Sequence, residues 1–320
     1  MQIRDNKMKS ELRKDYLLNK YVIITPGRAK RPRDITEQTI LHRDKECVFC
    51  PENVEKKLIT DKIGEKTWDV LAIKNKFPAV TLNNKKAYGA QEVIIETNKH
   101  GKELSELNEK KIEDVLRMYQ RRTEAISKIP AQGWSASGGK KMDYVLVFKN
   151  NGSKAGASIM HAHSQVFATD IIPPDVQEEM TAVENYCAEH NRNPYADIIK
   201  KEIKSKRRIY SDKLVAAFCP YASAYHYEAW IFPQRLVDNI TELNKPEIKT
   251  LAQVLKKILE KLHSLDVSYN FFMHQVISNP NQYFYIKIQP RDSIWAGVEL
   301  GSGIVINSIS PEVAAKFYRK

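Results

Sequence analysis

Glu228-Ala-Trp-Ile-Phe-Pro-Gln-Arg-Leu-Val-Asp-Asn-Ile-Thr-Glu-Leu-Asn244 echoes the earlier run Glu92-Val-Ile-Ile-Glu-Thr-Asn-Lys-His-Gly-Lys-Glu-Leu-Ser-Glu-Leu-Asn108 at a constant offset of 136 residues. Glu92/Glu228, Ile95/Ile231, Glu106/Glu242, Leu107/Leu243 and Asn108/Asn244 coincide. Each copy starts strand-like and runs into an amphipathic helix. Residues 105–129 place Ile112, Val115, Leu116, Tyr119 and Ile126 on one stripe, and Pro130 stops the pattern. The second copy does the same with Leu251, Val254, Leu255, Ile258, Leu259 and Leu262. Strand-like runs follow at 143–149 in the first copy and at 269–276 and 283–288 in the second. A repeated strand–helix–strand unit predicts an α+β chain made of two related halves. Another helix is expected over 175–190, entered through Pro173-Pro174.

The halves are not chemically equal. The first contains Asn150-Asn-Gly-Ser-Lys-Ala-Gly-Ala-Ser-Ile-Met-His-Ala-His-Ser-Gln165; the second has Leu236 where the first has His100, and no H-x-H. Gly156 and its neighbours offer backbone N–H groups to a phosphate with little steric obstruction. His161 and His163, spaced i and i+2, share a face of an extended strand. Glycines, Ser158, paired imidazoles and the Gln165 amide within sixteen residues read as a phosphoryl-handling site.

With 51 basic against 39 acidic residues the net charge is +12, a field that suits an anionic small substrate. The densest run, Ile199-Lys-Lys-Glu-Ile-Lys-Ser-Lys-Arg-Arg208, has no interleaved aromatic residue, so nucleic acid is not the expected partner. No stretch reaches the ~20 apolar residues that cross a bilayer, and Met1-Gln-Ile-Arg-Asp-Asn-Lys begins charged. A cytoplasmic protein is the expectation. Cys47-Val-Phe-Cys50 reads as a redox pair, half of a zinc site or two buried thiols. A second C-x-x-C is missing, so any other metal ligands must be histidines or acids. Arg28 and Arg31, in the basic loop after Pro26, are candidates for a bidentate clamp on a diphosphate.

Residues 150–165 resemble the active-site segment of galactose-1-phosphate uridylyltransferases, a branch of the histidine-triad superfamily, with alanine where that family usually has proline in H-P-H-x-Q. The resemblance implies two histidine-triad-like units, 1–170 with the nucleophile and 171–320 catalytically degenerate, forming an antiparallel sheet packed with helices. It implies a covalent nucleotidyl intermediate on His163, with Gln165 and Ser158 assisting. By the same resemblance, Arg28, Arg31, Asn75 and Phe77 of the N-K-F-P segment, Asn150 and Gly156 are expected to bind nucleotide or phosphate, and Glu299, Gly301, Ser302 and Gly303 the sugar phosphate. Cys47, Cys50, His100 and His161 match a structural zinc set. Relatives with a second metal use H-W-H, an acid near Glu179 and a histidine near His274. Here Tyr283-Phe-Tyr285 stands in place of H-W-H, which predicts no second metal. Relatives are commonly homodimers.

The implied reaction moves UMP from a UDP-hexose to a hexose 1-phosphate. Gln165 can hydrogen-bond phosphoryl oxygens but cannot shuttle a proton, which favours transfer over hydrolysis. ADP-glucose and dinucleoside-polyphosphate phosphorylases share much of the pattern, with inorganic phosphate as acceptor. A non-enzymatic zinc module binding nucleic acid accounts for the cysteines and the charge but leaves Gly156, Ser158, His163 and Gln165 unused.

Overall fold

The computed structural model describes residues 10–26, 47–65, 67–131, 141–142 and 144–320. β1 (Glu11–Lys14) and β2 (Tyr21–Ile24) open the described chain. The first unit follows as β3 (Ile59–Ile63), β4 (Val70–Lys74), β5 (Gly89–Ile95), α1 (Glu109–Ser127), β6 (Tyr144–Asn151) and β7 (His163–Thr169). Two helices, α2 (Pro174–His190) and α3 (Pro194–Glu202), lead into the second unit. It comprises β8 (Arg208–Ser211), β9 (Val215–Phe218), β10 (Ala229–Pro233), α4 (Lys245–His263), β11 (Tyr269–His274) and β12 (Tyr285–Pro290). The chain closes with α5 (Gly297–Ser302), β13 (Val305–Asn307) and α6 (Pro311–Arg319).

Ten strands form one sheet in the order β3-β4-β5-β7-β6-β11-β12-β10-β9-β8. Read inward from each edge, the two halves have the same order, so the sequence repeat is a repeat of topology. Antiparallel pairing of β6 with β11, Asn150 opposite Asn270, fuses the units into a continuous sheet. α1 and α4 are both 19 residues long and keep the offset of the repeat. Their caps explain the matched asparagines: Asn108 Oδ1 accepts from Lys111 N at 2.9 Å and Asn244 Oδ1 from Glu247 N at 3.0 Å. The expected first helix at 105–129 is therefore shortened. Leu104–Glu106 is a separate 3-10 turn, and the helix starts only after the Asn108 cap.

α1 and α4 pack together on one face, over a core drawn from both units. Period-two alternation sorts the strands: Ile94, Val166, Ala168 and Ala217 point into that core. Val93 and Ile95 face the other side with Phe49, and Ala216 and Phe218 do so beneath α2 and α3 with Tyr195 and Trp230. The strand expected near Pro26 is real but lies outside the main sheet. β2 pairs with β1 and, in parallel, with β13. In the basic run, Arg207 is neutralised by Glu202 and Glu312 at 2.8 and 2.9 Å. No helix among the described residues is long and apolar enough to cross a membrane.

Candidate active site and metal centre

Register places the chemistry on the sheet face opposite α1 and α4. Gln165 stands across from Val93 on β5 and Phe148 on β6, and His163 across from Ile95. Asn150, two residues on from Phe148, and its partner Asn270 fall on that same face. His163 itself is buried. Its Nδ1 lies 2.8 Å from the His161 carbonyl oxygen. A carbonyl only accepts, so Nδ1 carries the proton and Nε2 keeps its lone pair. Burial, reinforced by the nearby Lys149 ammonium, pushes the His163 pKa below its ordinary value and favours the neutral ring. The Phe49 ring packs against it, centroids 5.1 Å apart.

Gln165 is oriented by a residue that the sequence did not single out. Gln91 Nε2 donates to Gln165 Oε1 at 2.9 Å, with Asn75 Nδ2 at 3.4 Å, which leaves the Gln165 NH₂ as the outward donor. Asn75 Oδ1 accepts from Phe77 N at 2.9 Å, while the Phe77 ring is exposed. Asn270 is the other unforeseen member: its Nδ2 donates to Asn150 Oδ1 and Ala155 O, both at 2.8 Å. That ties β11 of the second unit to the loop ending at Gly156, whose φ of +83° suits glycine. Both partners are amides at adjacent strand positions, visible in sequence only once the pairing of β6 with β11 is known. Ser158 is exposed, and among the described residues no hydrogen bond joins it to His163.

Cys47, Cys50, His100 and His161 converge, with all four ligand atoms within 4.8 Å of one another. His161 Nδ1 is 3.6 Å from Cys47 Sγ and 3.8 Å from Cys50 Sγ, and His100 Nδ1 is 3.6 Å from Cys50 Sγ. Tetrahedral bonds of about 2.0–2.3 Å put ligand atoms roughly 3.3–3.8 Å apart, a spacing that these three pairs already have. His161 Nε2 donates to the Thr97 carbonyl at 2.8 Å, which turns the Nδ1 lone pair toward the thiols. Four protein ligands leave no open position, the pattern of a structural metal.

Arg28 and Arg31 lie outside the described residues. Glu299, Gly301 and Ser302 sit on α5, which packs beside β13, and Gly303 ends that helix at φ +72°. A hydrogen-bonded chain pins this segment: His226 Nδ1 donates to Asp292 Oδ2 at 2.7 Å, and Ser308 Oγ meets His226 Nε2 at 2.9 Å. Within one chain, α5 is thus built onto the small sheet, while His163 belongs to the main one.

Tyr283 and Tyr285 pack in one cluster with Tyr195, but their hydroxyls have different partners. Tyr283 Oη donates to the Pro233 carbonyl at 2.9 Å. Further along the same face, Tyr285 and Lys287 reach Glu179. Tyr285 Oη donates to Glu179 Oε1 at 2.6 Å, Tyr195 Oη donates to the same oxygen, and Lys287 Nζ lies 3.6 Å from Oε2. Lys287 also lies 5.0 Å from the ring centroids of Trp230 and Tyr285. An ammonium therefore already balances the buried carboxylate, and the residues do not fit a second metal.

The profile of the galactose-1-phosphate uridyl transferase N-terminal domain matches residues 1–173, more than half of the 320. The chain belongs to that family. A profile of a domain of unknown function matches residues 135–317. ADP-glucose phosphorylase of Arabidopsis thaliana is 28% identical over 97% of this chain and 92% of its own length. Galactose-1-phosphate uridylyltransferase of Thermotoga maritima is 25% identical, covering 97% and 98%. The crystal structure of the Arabidopsis thaliana phosphorylase with bound ADP-glucose superposes with a TM-score of 0.82 at 27% identity, covering 98% of this chain and 99% of that one. A uridylyltransferase structure gives 0.74 at 25% identity, covering 97% of both. Like its family, the protein is a nucleotidyltransferase enzyme with the duplicated α+β fold.

Proposed function

We propose that the protein transfers UMP from a UDP-hexose to a hexose 1-phosphate through a covalent nucleotidyl-His163. The observation that carries this is the His163 tautomer: Nδ1–H is committed to the His161 carbonyl, so Nε2 is the nucleophile. Its lone pair attacks the α-phosphorus, and the P–O bond to the departing hexose 1-phosphate breaks. The leaving group takes the electron pair as a stable anion, so no general acid is needed. An oxygen of the second sugar phosphate then attacks phosphorus, the P–N bond breaks, and its electrons return to Nε2. The oriented Gln165 NH₂ is the candidate donor to the phosphoryl oxygens, a type of contact worth on the order of 10²–10³-fold in rate. Asn150, Gly156 and Ser158 are proposed to hold phosphates, with Arg28, Arg31, Asn75 and Phe77 on the nucleotide side.

The Cys47, Cys50, His100 and His161 set is proposed to hold one zinc, joining the 47–50 loop to the start of β7 and supplying rigidity rather than chemistry. Chemistry is assigned to the half spanning 1–170; the half spanning 171–320 contributes Asn270. Glu299, Gly301, Ser302 and Gly303 are proposed to reach a sugar phosphate across a homodimer. Ile294, Val298 and Leu300, all exposed, support burial of that region against a second copy. Two of the four cysteines, Cys47 and Cys50, belong to the candidate metal set rather than to a disulfide framework, which supports a cytoplasmic, reducing setting.

The similarity to ADP-glucose phosphorylase favours a second reading, with an adenylyl donor and inorganic phosphate as acceptor. Intact-mass spectrometry after separate mixing with UDP-glucose and ADP-glucose tests both. A uridylyl adduct lost in His163→Ala is expected. An adenylyl adduct alone selects the phosphorylase reading, and an adduct that persists in His163→Ala refutes the nucleophile.

A further inference from the structure

Directly behind the candidate nucleophile, on the opposite face of the sheet, lies a charged side chain with no path to solvent. Lys149 is 1% exposed. Its Nζ lies 2.8 Å from Glu96 Oε2, 3.2 Å from Glu103 Oε2 and 3.3 Å from the carbonyl oxygen of His163. The other Glu96 oxygen accepts from Tyr119 Oη at 3.0 Å, and Tyr119 Oη meets Ser164 Oγ at 2.8 Å. Two consecutive residues of the nucleophile strand are therefore held from behind, His163 by its carbonyl and Ser164 by its side chain. Glu96 also donates its backbone N–H to the Ala162 carbonyl at 3.0 Å. One buried cluster thus locks the start of β7 to β6, to α1 and to the corner after β5.

A buried ion pair is a poor source of net stability, because desolvation offsets the attraction. Apolar residues of similar volume would hold the fold as well. What the pair supplies instead is a directional hold on one peptide. We propose that Lys149 is a positioning residue for His163, fixing the nucleophile's peptide so that Nε2 meets the α-phosphorus in line. The proposal rests on His163 being the nucleophile. Burial would lower the Lys149 pKa, but Glu96 and Glu103 outweigh it and raise it, so the hold is charged.

Lys149→Met alone strands the Glu96 carboxylate in the core and endangers folding. The informative variant is Lys149→Met with Glu96→Gln, which removes the ammonium and the fully buried carboxylate at nearly constant volume and leaves only Glu103, whose side chain is 26% exposed. The readout is the single-turnover rate of adduct formation at saturating donor, followed by mass spectrometry and normalised to the final adduct amplitude. Donor affinity is measured alongside by calorimetry. A misplacement of about 1 Å costs on the order of 10²-fold, so the expected result is a rate lowered at least roughly 10-fold with donor Kd within about 2-fold. A parent-like rate in the folded double variant overturns the proposal while leaving the nucleophile intact. Lys149→Gln with Glu96→Gln, two neutral amides that can bond one another in the core while the ammonium is withdrawn from the His163 carbonyl, provides the same readout should the first double variant not fold, and a parent-like rate there overturns it equally. Absence of adduct in the parent with either donor brings down the nucleophile assignment, and this proposal with it.

Discussion

Replacing Lys287 by methionine tests whether an ammonium holds α2 to the second unit. Glu179 sits on α2 and is buried, with Lys287 and Tyr285 of β12 and His274 of β11 around it. Burial alone would raise its pKa. His274, Lys287 and the hydroxyls of Tyr195 and Tyr285 outweigh that and bring it down from 4.5 to about 2. Burial also pushes the His274 ring toward its neutral form, which leaves Lys287 as the permanent cation. A depression of that size corresponds to about 3 kcal/mol at 1.36 kcal/mol per unit. The sign is that of a depressed acid: this stability is present above pH 4.5 and is lost as pH falls toward 2. Lys287→Met removes the permanent cation but leaves both tyrosine hydrogen bonds and His274, the largest of the lowering influences on Glu179, so roughly 1–2 kcal/mol should be lost at pH 7, below the ~3–5 of a fully orphaned charge. At about 2 °C per kcal/mol for a chain of this size, Tm should fall by about 2–4 °C. Lys287→Arg should restore most of the loss. The assay is thermal unfolding by circular dichroism at pH 7 and again at pH 4, where the difference between variant and parent should shrink. A variant unfolding within about 1 °C of the parent at pH 7 would refute the reasoning.

Cys50→Ser should reduce bound metal below one equivalent by plasma emission analysis and lower Tm, because it removes one of four converging ligands; full metal occupancy would dismiss the site. Gly89→Ala should destabilise by roughly 1–3 kcal/mol in urea unfolding, since a Cβ there would overlap the Ala168 carbonyl across the β5–β7 ladder; an unchanged midpoint would contradict that close approach. Gln91→Leu should slow adduct formation about 10-fold or more with little change in Tm, because Gln165 loses its 2.9 Å orienting donor; a parent-like rate would show that Gln165 needs no such help.

Much of the fold was legible in one dimension. The 136-residue echo marks equivalent elements because matching caps and apolar stripes are local properties: Asn108 and Asn244 each bind an amide three residues on. H-x-H and C-x-x-C stand out through side-chain type alone, although C-x-x-C by itself leaves a redox pair, half of a zinc site and two buried thiols open. Other features depend on which strands become neighbours. Gln91 reaches Gln165 because β5 pairs with β7, and Asn270 reaches Asn150 because the two units pair edge to edge. Lys149 looks like a surface lysine in sequence, yet strand parity turns it inward onto Glu96. Tyr283 and Tyr285 look alike and share one face of the sheet, yet their places along the strand give their hydroxyls different partners, the Pro233 carbonyl and Glu179. The sequence by itself determined the repeat and the nucleophile candidate, which rest on short-range pattern and functional-group identity, and through the family resemblance it pointed to the four candidate metal ligands. Only the tertiary structure decided which amides orient the site and which buried charges face one another, because contacts between distant residues are set by register and packing.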